Sequence, residues 1–231
     1  QRCCRHKLIR INPYEALRLA RALNLSTTEF LARCVERERS VLYQFDDGRC
    51  IFLDPQRGCT VHADRPLVCR LYPLGRHVSG TGVESFSTLE PHPQSEGRWG
   101  AAGTVGDFLE AQQARDFLDA TDRMLTLYDQ LRSHVEARAA HDAPAHEADQ
   151  GQDQCQDPGL DPERALDWMD IDAVLAEHGR GGGELARGAA ADVQAAFEAF
   201  LEILARQTEL GLPDRAHPCD DAGPSSGVVV T

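Results

Sequence analysis

Gly58-Cys59-Thr60-Val61-His62-Ala63-Asp64-Arg65-Pro66-Leu67-Val68-Cys69-Arg70-Leu71-Tyr72-Pro73 is the stretch on which the reading of this chain turns. Residues 58–61 read as a short extended piece, and Pro66 is placed to open one helical turn through Cys69. Pro73 stops that turn, because proline has no amide proton to continue a helix and its ring clashes with the preceding backbone. Cys59 and Cys69 therefore fall at element ends, where side chains can converge on one point.

Upstream, residues 41–45 and 50–53 flank Asp46-Asp47-Gly48, which predicts a hairpin with Cys50 opening its second arm. Residues 12–39 read as two helices before it. Asn12 caps the first, with Pro13 at the first helical position and Glu15 at the third, the reciprocal arrangement of a capping box. Ser26-Thr27-Thr28-Glu29 is a second box, opening a helix with the apolar stripe Phe30, Leu31, Cys34 and Val35. Downstream, a hairpin is expected over 76–89, turning at Ser79-Gly80-Thr81-Gly82. The remainder is helical. Thr104 caps a short helix through Ala111, and a longer one over 115–138 carries Phe117, Leu118, Met124, Leu125, Tyr128, Leu131 and Val135 along one face. Further helices are expected around 171–177 and 192–210.

The fold class that follows is α+β: a small cysteine-rich domain of short strands and turns, then a mainly helical C-terminal part. Residues 1–140 make the cysteine-cluster domain with its covering helices. Residues 141–163, with seven acidic residues and no Lys or Arg, read as an acidic linker. Residues 164–212 form a helical appendage, and 213–231, rich in Pro, Gly, Ser and Asp, a disordered tail.

The net charge of -13 is unevenly spread over the 231 residues. Residues 1–80 hold fourteen Lys and Arg against eight Asp and Glu, a balance of +6, and the rest of the chain carries -19. No Lys/Arg block or aromatic–basic interleaving accompanies that excess, so no nucleic-acid partner is expected. The arginines are expected instead to offset thiolate charge and to dock on the acidic half. No apolar run approaches the roughly 18 residues that span a bilayer, and no membrane partner is expected. The chain opens at Gln1 rather than Met, which fits a processed chain or a fragment, and no targeting segment is visible in it.

Eight cysteines stand at 3, 4, 34, 50, 59, 69, 155 and 219. Cys3, Cys4, Cys50, Cys59 and Cys69 lie in the first part and off its helical faces. Soft thiolate donors match zinc and iron–sulfur centres, and four of them complete a tetrahedral shell. Three fates are open to these thiols: metal ligation, disulfides in an exported protein, or ordinary burial. Metal ligation by these five is the expectation, with zinc or an iron–sulfur cluster as cofactor and a cytoplasmic location. Cys34 belongs to a core stripe. Cys155, in the linker, and Cys219, in the tail, are read as incidental. His6 and His62 are candidate nitrogen ligands, more often found as neighbours of such a site.

Cys3-Cys4, Cys50-x-Phe52-Leu53, Gly58-Cys59-x-Val61-His62 and Arg65-Pro66-x-x-Cys69-Arg70-x-Tyr72-Pro73, in that order, resemble the YkgJ family over about residues 1–90. The resemblance implies a zinc- or iron-chelating domain whose N-terminal signature is C-x-x-C-x-x-C-C. The two upstream cysteines of that signature would precede Gln1. The cysteine pattern is also similar to that of the flagellin lysine N-methylases, which implies, as an alternative, an iron–sulfur-dependent protein methyltransferase. Nothing else in the chain indicates a methyl-donor site. A structural zinc module serving a protein partner is a third reading. Arg65 and Arg70, flanking Cys69, are expected to donate to the thiolates and balance their charge.

Other chemistry has little support. No nucleophile elbow, P-loop or dinucleotide-binding fingerprint is present. The run Gly179-Arg180-Gly181-Gly182-Gly183 follows a helix and reads as a flexible joint.

Overall fold

A computed structural model describes residues 4–36, 39–90, 103–142, 168–180 and 190–207. Cys3, Cys155 and Cys219 lie outside the described residues, as do most of the expected linker and the whole expected tail. The class is α+β, with short antiparallel strands in the N-terminal half and helices after it.

Helix α1 (Pro13–Ala22) begins where the sequence places it. The Asn12 side chain accepts from the Glu15 amide at 2.9 Å, and the Glu15 carboxylate accepts from the Asn12 amide at 2.9 Å. The same reciprocal box, Ser26 with Glu29, opens α2 (Thr27–Cys34). That helix ends earlier than residue 39. Val35 leaves it with extended backbone, φ -125 and ψ 131, and starts β1 (Val35–Glu36), which pairs antiparallel with β2 (Val41–Leu42). Burial decides the exit, since Val35 and Leu42 both enter the apolar core from this ladder.

The hairpin expected around Asp46-Asp47-Gly48 forms only as a narrow turn. Phe45 donates its amide to the Arg49 carbonyl at 2.8 Å, and Gln44 bridges Cys50. Gly48 is needed there twice over. Its φ is +75, and a Cβ on it would lie 2.1 Å from His6 Nδ1, so the His6 ring packs on the bare α-carbon. Next come β3 (Leu53–Asp54) and β4 (Gly58–Cys59), joined by a turn in which Asp54 Oδ1 accepts from the Gln56 and Arg57 amides, both at 2.8 Å. A 3-10 turn (His62–Asp64) leads to α3 (Leu67–Leu71) and the cis Tyr72–Pro73 peptide. The later hairpin, β5 (Leu74–Val78) and β6 (Glu84–Thr88), turns as expected at Ser79–Gly82.

Four helices follow among the described residues: α4 (Val105–Ala111), capped by Thr104, α5 (Arg115–Asp142), α6 (Ile171–Glu177) and α7 (Ala190–Gln207). Helix α1 separates two cores. Tyr14 and Leu17 face one made with Leu67, Leu71, Phe117, Met124, Ile171, Phe197 and Phe200. Ala16, Leu19 and Ala20 face the other, with Phe30, Leu31, Cys34, Phe52 and Val61. Tyr14 stands edge-on between Phe117 and Phe197, with ring centroids 5.5 and 5.0 Å away. Helices α6 and α7 thus complete the first core against α1.

Polar clamps fix this packing. Arg21 grips Asp172 through two bonds of 2.9 and 2.5 Å, and Asp172 also accepts from the Thr27 amide at 2.7 Å. Thr27 in turn donates its hydroxyl to Asp170 at 2.5 Å, so the start of α6 is tied to α1 and to the start of α2. Arg76 pairs with Asp122 at 2.6 and 2.7 Å, tying the later hairpin to α5. Two arginines of the basic segment therefore do reach the acidic half, as its charge balance suggests.

Burial raises the Asp172 pKa, but its bonds to Arg21 and Thr27 outweigh that, and the net shift is downward. A carboxylate with a depressed folded-state pKa stabilises the fold above its unfolded pKa, and that contribution is lost as pH falls through the folded value. Residues 171–175 are expected to lose hydrogen-exchange protection below about pH 4, the unfolded carboxylate range. Asp172→Asn should remove the acid dependence and cost about 3 kcal/mol at neutral pH, as breaking a mostly buried ion pair does. Protection factors over these residues that stay flat from pH 7 to 3 in the wild type would contradict this.

Candidate metal centre

Each described cysteine of the proposed ligand set is placed by backbone geometry that its neighbours dictate. The Cys4 carbonyl accepts from the Cys50 amide at 2.9 Å, and Arg5 bridges Arg49, so the N-terminal segment runs antiparallel to the segment carrying Cys50. Cys59 is the last residue of β4 and stands opposite Leu53 in the register. Cys69 lies in α3, its amide bonded to the Pro66 carbonyl at 2.9 Å. Cys50, Cys59 and Cys69 are all partly buried and pack against the same apolar cluster.

The thiol of Cys50 is pushed above its ordinary pKa, first by burial and then by the neighbouring Cys59, while the Phe52 amide donating to its sulfur pulls the other way. Among the described residues, no group of three His, Cys, Asp or Glu side chains is close enough to hold a metal ion. The donor type and the shared core edge fit a soft metal. The described side chains do not close a shell by themselves, and Cys3 is outside the described residues.

Cys34 is buried at 7% exposure among Phe30, Leu31 and Val35, with its thiol pKa raised by burial. It is a core side chain. Cys34→Ala should cost about 1 kcal/mol through a small cavity and leave the metal content unchanged, which chemical unfolding and metal analysis together would show. His6 is exposed, with one side of its ring against Gly48. His62 is exposed, and its Nδ1 lies 3.3 Å from Arg65 Nη1.

The two arginines beside Cys69 donate to backbone carbonyls and to Gln112. Arg70 is 1% exposed and donates Nε to the Arg65 carbonyl at 2.9 Å, Nη1 to the Gln112 carbonyl at 2.8 Å, and Nη2 to the Ala63 carbonyl. Its guanidinium lies over the Phe117 ring, 3.9 Å from the centroid. Burial, followed by the charges of Arg65 and Arg18, pushes its pKa down to about 10, so it stays charged at neutral pH. Arg65 donates to the His62 carbonyl and to Gln112 Oε1, each at 2.6 Å. Carbonyl oxygens that turn inward at the 3-10 turn and after α4 need buried donors, and a planar five-donor fork meets several at once.

Glu15 has a second role that its capping box conceals. Pro66 caps α3 without a side-chain bond. Glu15 supplies the missing acceptor, its Oε1 receiving the Leu67 amide at 2.6 Å while Oε2 serves its own helix. One turn along α1, Arg18 holds Asp64 at 2.7 and 3.0 Å. The loop between Cys59 and Cys69 is thereby pinned to one face of α1. A proline at a helix start with no capping side chain is the sequence signal that such an outside acceptor is required.

Residues 1–91 match the CxxCxxCC family model, whose description is "Putative zinc- or iron-chelating domain". The match spans six of the eight cysteines and agrees with the resemblance carried by Arg65-Pro66-x-x-Cys69-Arg70-x-Tyr72-Pro73. It describes a metal-chelating domain and leaves zinc and iron both open. Comparison with curated proteins and with solved structures gives no match. No helix among the described residues is long and apolar enough to cross a membrane.

Proposed function

We propose that the N-terminal half binds zinc or an iron–sulfur cluster through Cys3, Cys4, Cys50, Cys59 and Cys69, and that the bound metal holds this half folded. The observation that carries the reading is that Cys50, Cys59 and Cys69, all partly buried, pack against one apolar cluster. Bound there, the metal supplies cross-links between segments whose own strands are short. The strands β3 and β4 are two residues each, and ladders so short do not persist in water without support. A structural thiolate site contributes its binding energy directly to folding. This favours a structural module over a turnover centre. Reduced thiols also suit a cytoplasmic location.

The ligands must lose their protons to bind, and the raised Cys50 pKa makes that displacement costlier at low pH. Apparent metal affinity should therefore rise with pH across the range from 6 to 8. Anaerobic purification followed by metal analysis and visible absorption tests the reading. Stoichiometric zinc without colour, or iron with a visible charge-transfer band, is expected. Negligible amounts of both metals, in protein that also takes up neither on addition, would overturn it.

A further inference from the structure

Helix α3 is five residues long, yet its contacts reach α1, the end of α4 and the core under α5. It carries Cys69, a proposed ligand. Its Leu67 and Leu71 enter the core shared with α5, α6 and α7. Its Arg70 is bonded to the Gln112 carbonyl just after α4 and lies over Phe117 of α5. Its first amide rests on Glu15 of α1. A helix this short has too few internal hydrogen bonds to hold itself, so these outside contacts set its position.

We propose that α3 couples metal capture to the docking of the helical half, with Arg70 and Glu15 as the positioning residues that present Cys69. This rests on the metal reading above. Neither residue need touch the metal. Arg70 holds α3 against the end of α4 and the start of α5 through carbonyls, and Glu15 holds its N-terminus. An ion that fixes Cys69 fixes α3, and through Arg70 it restrains residues 112–117. By reciprocity, loosening that anchor lowers the affinity for the ion. No cysteine is present between 70 and 154, so no thiol ligand lies on α4 or α5.

The test uses the full chain, with zinc and anaerobic ferrous iron as probes. Hydrogen exchange over residues 112–127 is followed with and without metal, and affinity is measured by competition with a chromophoric chelator. In the wild type, metal is expected to slow exchange over 112–127 at least tenfold. Arg70→Lys keeps a cation but loses the fork. It should bind metal at least tenfold more weakly, within the range of roughly 10–100-fold seen when a residue behind a ligand is changed. It should also abolish the exchange response of 112–127. Glu15→Gln, which retains one acceptor oxygen, is the milder variant should Arg70→Lys not fold, and should show both effects in reduced form. Metal binding by the wild type with unchanged exchange over 112–127 would overturn the coupling while sparing the metal reading. Unaltered affinity in both variants would do the same. Failure of the wild type to take up either ion would overturn the metal reading and the coupling with it.

Discussion

Cys59→Ser is expected to weaken metal binding about 100-fold or more, the largest single effect on binding in this protein. Zinc in a four-thiolate shell is held by about 10–16 kcal/mol, and removing one ligand takes roughly a quarter of it. Serine oxygen is a hard, reluctantly deprotonated donor and does not replace sulfur at a soft centre. Cys59 stands out because it is the thiol that Cys50 senses and because it ends β4 opposite Leu53, a backbone position that the substitution leaves intact. Cys69→Ser should act similarly, through α3. Competition with a chromophoric chelator reads both variants. Wild-type affinity in each would show that these cysteines are ordinary half-buried thiols, and the ligand assignment would fail at both positions.

The largest effect on stability is expected from Arg70→Ala, a loss of about 3–5 kcal/mol in chemical unfolding. Three carbonyls, of Ala63, Arg65 and Gln112, would lose their donor, and an unsatisfied buried polar group costs about 1–3 kcal/mol. The Phe117 ring would lose its cation, a contact of about 2 kcal/mol when desolvated. Water entering the vacated space would serve some of the carbonyls, which keeps the total below the sum. A residue that only balanced surface charge near thiolates would cost well under 1 kcal/mol on substitution. The two roles are therefore separable by an unfolding curve on metal-free protein. A loss below 1 kcal/mol there would show that the carbonyl fork is incidental.

Local rules carried much of this fold in the sequence. The capping boxes at Asn12 and Ser26 and the cap at Thr104 involve residues three apart and form as read. The turn at Ser79–Gly82 likewise needs nothing distant. Val35 broke the helical expectation, since its stripe with Phe30 and Leu31 is compatible with a helix and only its pairing with Leu42 shows otherwise. Long-range partners were not legible. Arg70 and Gln112 are 42 residues apart, Arg21 and Asp172 are 151 apart, and no periodicity relates them. That is why Arg70 reads from sequence as a thiolate's neighbour and turns out to be a carbonyl clamp. The cysteines stand between these cases. Their type and order point to metal chemistry, but intervals such as that from Cys50 to Cys59 leave convergence to the fold. The fold brings Cys50, Cys59 and Cys69 to one core edge without bringing three described ligand side chains together.

Titration of the metal-free, reduced protein with cobalt(II) tests the central claim most directly, because cobalt reports its own ligands by absorption. Tetrahedral thiolate coordination gives intense visible bands together with a sulfur-to-metal charge-transfer band in the near ultraviolet. Both are expected to saturate at one equivalent per chain, to vanish on adding zinc, and to weaken sharply in Cys59→Ser. Saturation of a weak, pale spectrum typical of oxygen-coordinated cobalt, unchanged in Cys59→Ser, would contradict thiolate metal binding by this protein.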